Sequence, residues 1–182
     1  MAKLVSTTYG DALFELAMEE NNLHEMRMEV ESLRQIFAEN KELGDILGHP
    51  EVEKNAKIEL VENIFKGRCS DNMMGFLVLV VEKGRQGDLL AIFDYFIGKA
   101  KEEEGIGTAH VTSAIELTKK GQQVVVDRLL ELTKYSSFET TFTVDESLIG
   151  GLVIRIGDRV VDSSIKTKLE NMKKSLTKIQ LS

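Results

Sequence analysis

Three histidines, a single cysteine, a serine pair and a double glycine are the groups in this 182-residue chain that could carry chemistry. A zinc site brings three or four nitrogen and sulfur donors together, and closely spaced ligands are its usual sequence mark. His24, His49 and His110 are scattered and Cys69 stands alone, so no metal site is expected. His49, directly before Pro50, reads as a turn residue. Gly150, Gly151 and Gly157 invite comparison with phosphate-binding loops. Such a loop needs Lys-Ser/Thr at a helix start, and a dinucleotide fingerprint needs its full glycine spacing before a helix. Here the glycines lead into an apolar run, which predicts a bend before a close-packed strand. Ser163 and Ser164 have no histidine near them in sequence, and helix capping is the better account of both. No catalytic residue, metal or cofactor is expected.

Lys166, Lys168, Lys173, Lys174 and Lys178 oppose only Glu170, which makes the closing segment locally basic. A nucleic acid and an acidic protein helix both suit such a surface, and a plainly solvated helix face is the third reading. No aromatic residue interleaves with these lysines, so a stacking platform for bases is not expected. The chain as a whole carries 23 Lys+Arg against 30 Asp+Glu, a net charge of −7. That is a poor start for wrapping nucleic acid, which needs a concentrated positive field. A nucleic-acid-binding module using the closing helix is therefore the alternative function and not the leading one.

Composition narrows the classes further. Hydrophobic residues at 42% and charged residues at 29% are close to the globular average. No run approaches the ~18–20 apolar residues that would span a bilayer, so direct membrane insertion is not expected. Met1 to Tyr9 lack a basic start followed by an apolar stretch, so no secretory signal is expected either. With Cys69 alone no internal disulfide can form, which suits a cytosolic setting. One proline and no tryptophan argue against a loop-rich or disordered chain.

The elements that must position any site change character partway along. Residues 1–104 carry 12 basic and 21 acidic side chains, and residues 105–182 carry 11 and 9. The change falls in the charged run Lys101 to Glu104, followed by Gly105 and Gly107, which is expected to be an exposed link between two domains. Before it the periodicity is helical. Tyr9, Ala12, Leu13, Leu16 and Ala17 form one buried stripe. Asn22 with Glu25 resembles a capping pair before Leu23, Met26, Val30, Leu33 and Phe37. A short third helix carries Leu43, Ile46 and Leu47. Pro50 is expected to open a fourth, bearing Ile58, Val61, Ile64 and Phe65. Met73 to Val81 is apolar nearly all round, as in a central helix. Asp88 is expected to cap a sixth, with Leu89, Ile92, Phe93, Phe96 and Ala100 inward.

After the boundary the pattern is mixed. Ala109, Val111, Ser113 and Ile115 alternate as in a strand, and Thr118 can cap a helix bearing Val125, Leu129 and Leu132. Phe138, Thr140, Phe142 and Val144 alternate, as do Leu152, Ile154 and Ile156, and Gly157-Asp158 signals a hairpin turn before Arg159 to Asp162. Ile165, Leu169, Met172, Leu176 and Ile179 mark a closing amphipathic helix. The expected fold is mostly α: an N-terminal six-helix bundle, then a small α+β domain ordered strand, helix, three strands, helix.

One stretch is more specific than any of these. Val144-Asp-Glu-Ser-Leu-Ile-Gly-Gly-Leu-Val-Ile-Arg-Ile-Gly-Asp158, with Asp145, Gly150, Gly151, Arg155, Gly157 and Asp158 as its marks, resembles the C-terminal signature of the ATP synthase delta subunits. These are bacterial relatives of the mitochondrial oligomycin-sensitivity-conferring protein. Val161 to Leu169, Tyr9 to Ala17 and Glu82-Lys-Gly-Arg85 fit the same family in order along the chain. Gln86-Gly87 departs from a leucine common there, which implies a looser turn.

The resemblance implies a non-catalytic stator subunit in the peripheral stalk of a proton-translocating F-type ATP synthase, present as one copy in a large hetero-oligomer. It implies that residues 1–104 bind the N-terminal helix of an alpha subunit in a groove between the first and fifth helices. Tyr9, Leu13, Phe14 and Leu79 are the candidate contacts, with Met18 extending the surface. It implies that residues 105–182 engage the C-terminal end of the b-subunit stalk. The place implied is the cytoplasmic face of a bacterial cell membrane, and a mature chloroplast chain fits the same sequence.

Overall fold

Apolar residues at helical spacing draw the first six segments onto a shared core. The computed structural model describes residues 2–179, with side chains described for residues 4–173. In order come α1 (Ala2–Glu19), α2 (Leu23–Glu39), α3 (Lys41–Gly48), α4 (Lys54–Phe65), α5 (Asp71–Glu82) and α6 (Leu89–Glu103). α6 packs on both α1 and α2, and Leu89, Ile92, Phe93, Phe96 and Ala100 are all buried. Phe37 of α2 stacks on Phe65 of α4 at 5.7 Å and meets Phe93 edge-on at 6.0 Å. Each such ring contributes roughly 1.5–3 kcal/mol by leaving water. α1 comes close to α6 because Gly10 has no side chain: a Cβ there would lie 2.4 Å from the Tyr95 ring.

Internal packing divides the chain into two compact units, Met1–Glu104 and Gly105–Ser182. The second contains β1 (Ile106–Ser113), α7 (Lys119–Leu132), β2 (Ser137–Val144), β3 (Leu152–Ile156), β4 (Arg159–Asp162) and α8 (Ile165–Ile179). Its four strands are ordered β2-β1-β3-β4. β1 and β2 run parallel from the pair Ile106 and Ser137, which α7 makes feasible as the crossover. β3 is antiparallel to β1 and forms a hairpin with β4. Ala109, Val111 and Ser113 turn into the core of this unit, and Thr118 caps α7 by accepting the Gly121 N–H at 3.2 Å.

Several local expectations give way. Asn22 precedes α2 but makes no capping bond, since its backbone at φ −121° and ψ 25° is not in the extended conformation from which the side-chain oxygen accepts the first N–H groups. Pro50 lies in a turn, and α4 starts at Lys54 behind Glu53, whose backbone is extended at φ −60° and ψ 147°. Asp88 ends the 3-10 turn Gln86–Asp88 in a helical backbone conformation, φ −94° and ψ −4°, which aims its carboxylate away from the next N–H groups. Ala12 and Ile46 are exposed where core was expected, and Ile115 and Leu132 are exposed just beyond or at the end of their elements. Lys101 to Gly107 is not a loop: α6 runs to Glu103 and β1 begins at Ile106, with Gly107 buried against the Phe138 ring. Ser163 does not cap α8, because its hydroxyl donates to Leu152 O at 2.9 Å; Ser164 does, accepting the Thr167 N–H at 3.2 Å.

Candidate functional site

Two flanks of the helical bundle meet where α1 passes α5. Val5, Tyr9, Ala12 and Leu16 recur at i, i+4, i+7 and i+11, so they share one flank of α1. Asn72, Phe76 and Leu79 do the same on α5 at i, i+4 and i+7. Asn72 donates to both carboxylate oxygens of Glu20 at 2.7 Å, and Phe76 meets Tyr9 edge-on with centroids 6.4 Å apart. α5 is thus tied to the residue just past the end of α1 by a hydrogen-bonded fork and to α1 itself by a ring contact. Above that contact, Ala12 and Gly75 are exposed and add little bulk, while Val5, Tyr9 and Leu16 are half-buried. On α5, Leu79 is 42% exposed. An exposed leucine at helical spacing is the kind of apolar anchor that an amphipathic partner helix covers.

The four sequence candidates separate here. Tyr9 is half-buried on α1 and Leu79 is exposed on α5. Leu13 is 1% exposed and belongs to the core, so it offers no surface to a partner. Phe14 is turned to α6, where the Lys99 ammonium sits 4.5 Å from its ring centroid. Lys99 and the Tyr95 hydroxyl both donate to Asp11, and these bonds hold the Asp11 carboxyl below its usual range. Met18 is exposed on that side of α1 as well.

In the second unit the signature residues build one tight corner. Asp145 accepts the Ser147 N–H at 2.9 Å and starts the 3-10 turn Glu146–Leu148, whose Leu148 is buried. Ile149 follows at φ +66°, then Gly151 at φ +83°. The strand that begins here lies against the start of α8: the Ser163 N–H donates to Leu152 O and the Ile165 N–H to Gly150 O, both at 2.9 Å. Gly150 leaves room for Ile165, whose Cδ1 would be 2.7 Å from a Cβ at that position. Arg155 donates to Gly157 O at 3.2 Å, and Gly157 at φ +55° with Asp158 forms the hairpin turn. These residues shape backbone.

From this corner α8 presents Ile165, Leu169 and Met172, all exposed, with Lys166, Lys168 and Lys173 exposed around them. Lys174, Leu176, Lys178 and Ile179 lie outside the residues whose side chains are described. Among the described residues no three His, Cys, Asp or Glu side chains are grouped to hold a metal ion. His49 Nδ1 accepts the Glu51 N–H at 3.3 Å within the turn.

Asp162 fastens the start of α8 and gives it a pH dependence. Its carboxylate accepts from the Thr167 hydroxyl at 2.7 Å and from the Ser164 N–H at 2.8 Å, bonds that hold it below its usual 3.8. A carboxyl lowered by folding stabilises the fold above its unfolded pKa, and that contribution is lost as pH falls through the folded value. Acidification from pH 6 to pH 3 is therefore expected to lower the melting temperature more in the natural chain than in Asp162→Asn. Equal acid sensitivity in the two would remove Asp162 from the account.

Residues 5–176 match the family model described as ATP synthase delta (OSCP) subunit. The ATP synthase subunit delta of Lachnoclostridium phytofermentans is 51% identical over 181 residues, covering 100% of both chains. That of Desulforamulus reducens is 38% identical over 172 residues and 94% of each chain. A chain in the cryo-EM structure of the Toxoplasma gondii mitochondrial ATP synthase hexamer superposes with a TM-score of 0.78 over 94% of this chain and 97% of that one. At 19% identity that last likeness speaks for the fold alone.

Proposed function

Because this chain belongs to the ATP synthase delta (OSCP) subunit family, and so is a structural subunit of the peripheral stalk of an F-type ATP synthase, we propose that it joins the catalytic head to the b-subunit stalk and keeps the head from turning with the central shaft. The N-terminal amphipathic helix of an alpha subunit docks in the groove between α1 and α5. The C-terminal end of the b stalk engages residues 105–182. The subunit performs no reaction; its work is to stay bound while torque loads both attachments.

The observation that supports this reading is the 42% exposure of Leu79 on α5, the helix whose Phe76 meets Tyr9 of α1, with Ala12 of α1 and Gly75 of α5 also exposed. Among the described residues no helix is long and apolar enough to cross a membrane. Attachment to the cytoplasmic face of a bacterial membrane would then come through its partners, with one copy per complex. A tagged copy recovered from membranes of the source organism is expected to bring alpha and b subunits with it. Recovery of neither would overturn the stator role.

A further inference from the structure

Where α6 ends, the first unit contains a chain of alternating charges that the docking groove does not use. Arg27 of α2 is a charged residue only 5% exposed. Its Nη1 donates to Glu31 at 2.9 Å and its Nε donates to Glu104, the residue that closes α6. Lys101, one turn earlier on α6, reaches the same Glu31 oxygen at 2.8 Å. The second Glu104 oxygen lies 2.9 Å from His24 Nδ1. The contacts named here join α2 to the end of α6 or link neighbours on α2.

The placement is specific in sequence. Glu104 still belongs to the helical unit, its N–H bonded to Ala100 O at 2.9 Å. The next residue, Gly105, is already gripped by the second unit: its carbonyl accepts from the Ser136 N–H at 2.8 Å and from the Ser136 hydroxyl at 3.1 Å. Gly105 takes φ +71°, a conformation other residues rarely adopt. The held ends are therefore consecutive residues.

We propose that the Arg27–Glu104 network is a mechanical clasp, which fixes the last turn of α6 to α2 so that load arriving along the chain at Glu104 is delivered to the bundle core. This rests on the stator reading, since only a subunit under load needs such a clasp. The physical case comes from what terminal helical turns ordinarily do. They fray at almost no cost, and a final turn carrying the charged run Lys101 to Glu104 has little apolar surface to hold it. A buried guanidinium with two carboxylate partners makes that turn part of the bundle. Buried ion pairs contribute modestly to net stability compared with apolar packing, and fixing one arrangement is their better-attested use. Arginine suits the task because its planar fork can hold two carboxylates at once, which a lysine ammonium on a flexible stem does not reproduce.

Hydrogen exchange on the full-length chain tests this. Arg27→Met keeps length and apolar contact while removing the fork. It is expected to speed exchange of the amides at residues 101–104 at least ten-fold, while those at residues 92–97 stay within two-fold. Glu104→Gln, which leaves the buried arginine in place, should give the same local pattern, and Arg27→Lys should not restore protection. A glutamyl endoprotease should cut after Glu102 and Glu103, which both clasp variants retain, faster in each. Protection unchanged in the last turn, or lost equally along α6, overturns the clasp: the first means no grip, the second a general contribution to stability. Binding of the alpha N-terminal peptide, measured on the same variants, reads the docking groove separately. A failed groove leaves the exchange result standing, and a failed clasp leaves the groove untouched.

Discussion

Gly151→Val is expected to destabilise the second unit by about 2–4 kcal/mol, the combined scale of a strained backbone and an irreducible clash. Two separate features set this size. At φ +83° the backbone is in the left-handed region, where a β-branched side chain is rare. A Cβ there would also sit 2.5 Å from the Ser163 carbonyl oxygen and 3.0 Å from the Ser164 Cα. Both are main-chain atoms at the start of α8, and Ser163 is itself bonded to Leu152, so neither can rotate away as a side-chain tip would. Relief requires peeling α8 from β3 or bending the strand. For a unit of this size each kcal/mol shifts melting by roughly 4–8 °C, so a drop of about 10 °C or more is expected. In the full-length variant, exchange protection should fall in β3, β4 and the start of α8 and persist in α5 and α6. Gly98→Ala, on a helix with nothing within 4 Å of the added atom, is the control and should melt at or above the natural chain. A Gly151→Val melt indistinguishable from the natural one would mean that the corner relaxes freely.

The sequence made this corner visible for a physical reason. A double glycine before an apolar alternation has few purposes besides close approach or a positive φ; Gly150 shows the first and Gly151 both. Long periodic segments were legible on the same grounds: a helix cannot bury Leu89, Ile92, Phe93, Phe96 and Ala100 without turning them to one side, and all five are buried. What was not legible depends on residues distant in sequence or on a single torsion. Arg27 is buried because Glu104, 77 positions away, receives it, and periodicity places it next to the stripe without saying that a partner waits there. Asn22 and Asp88 are cap-type residues whose backbones are not in the extended conformation a capping side chain needs. Which flank of α1 stays open was equally hidden. Ala12 fits a helical stripe as well as Leu13 does, and only the positions of α5 and α6 on either side decide that Leu13 is covered and Ala12 is not.

That decision bears directly on Leu79→Glu, expected to weaken binding of the alpha-subunit N-terminal peptide by at least ~2 kcal/mol, or about thirty-fold. On α5, Met73, Phe76, Leu77 and Val80 are buried in the core, which satisfies the helix's need to hold the bundle together. Leu79 falls outside that stripe at 42% exposure, on the side where Asn72 and Phe76 touch α1. An exposed leucine costs the free protein little and gains by losing water only when a partner covers it. Covering a glutamate there would strip its hydration with no cation supplied in return, so the penalty comes from burying an unpaired charge as well as from the lost apolar contact. In the free protein the same side chain extends into solvent, and the circular dichroism spectrum should be unchanged. Leu77→Glu, at a fully buried position two residues away, should instead lose helicity, which calibrates what a core substitution looks like. Calorimetric titration of the full-length variants with a peptide of the alpha N-terminus gives the comparison. Undiminished affinity for Leu79→Glu would place the docking helix on another face of the bundle. Lost helicity in that variant would show that the groove wall is part of the core, and that what binds there must first open it.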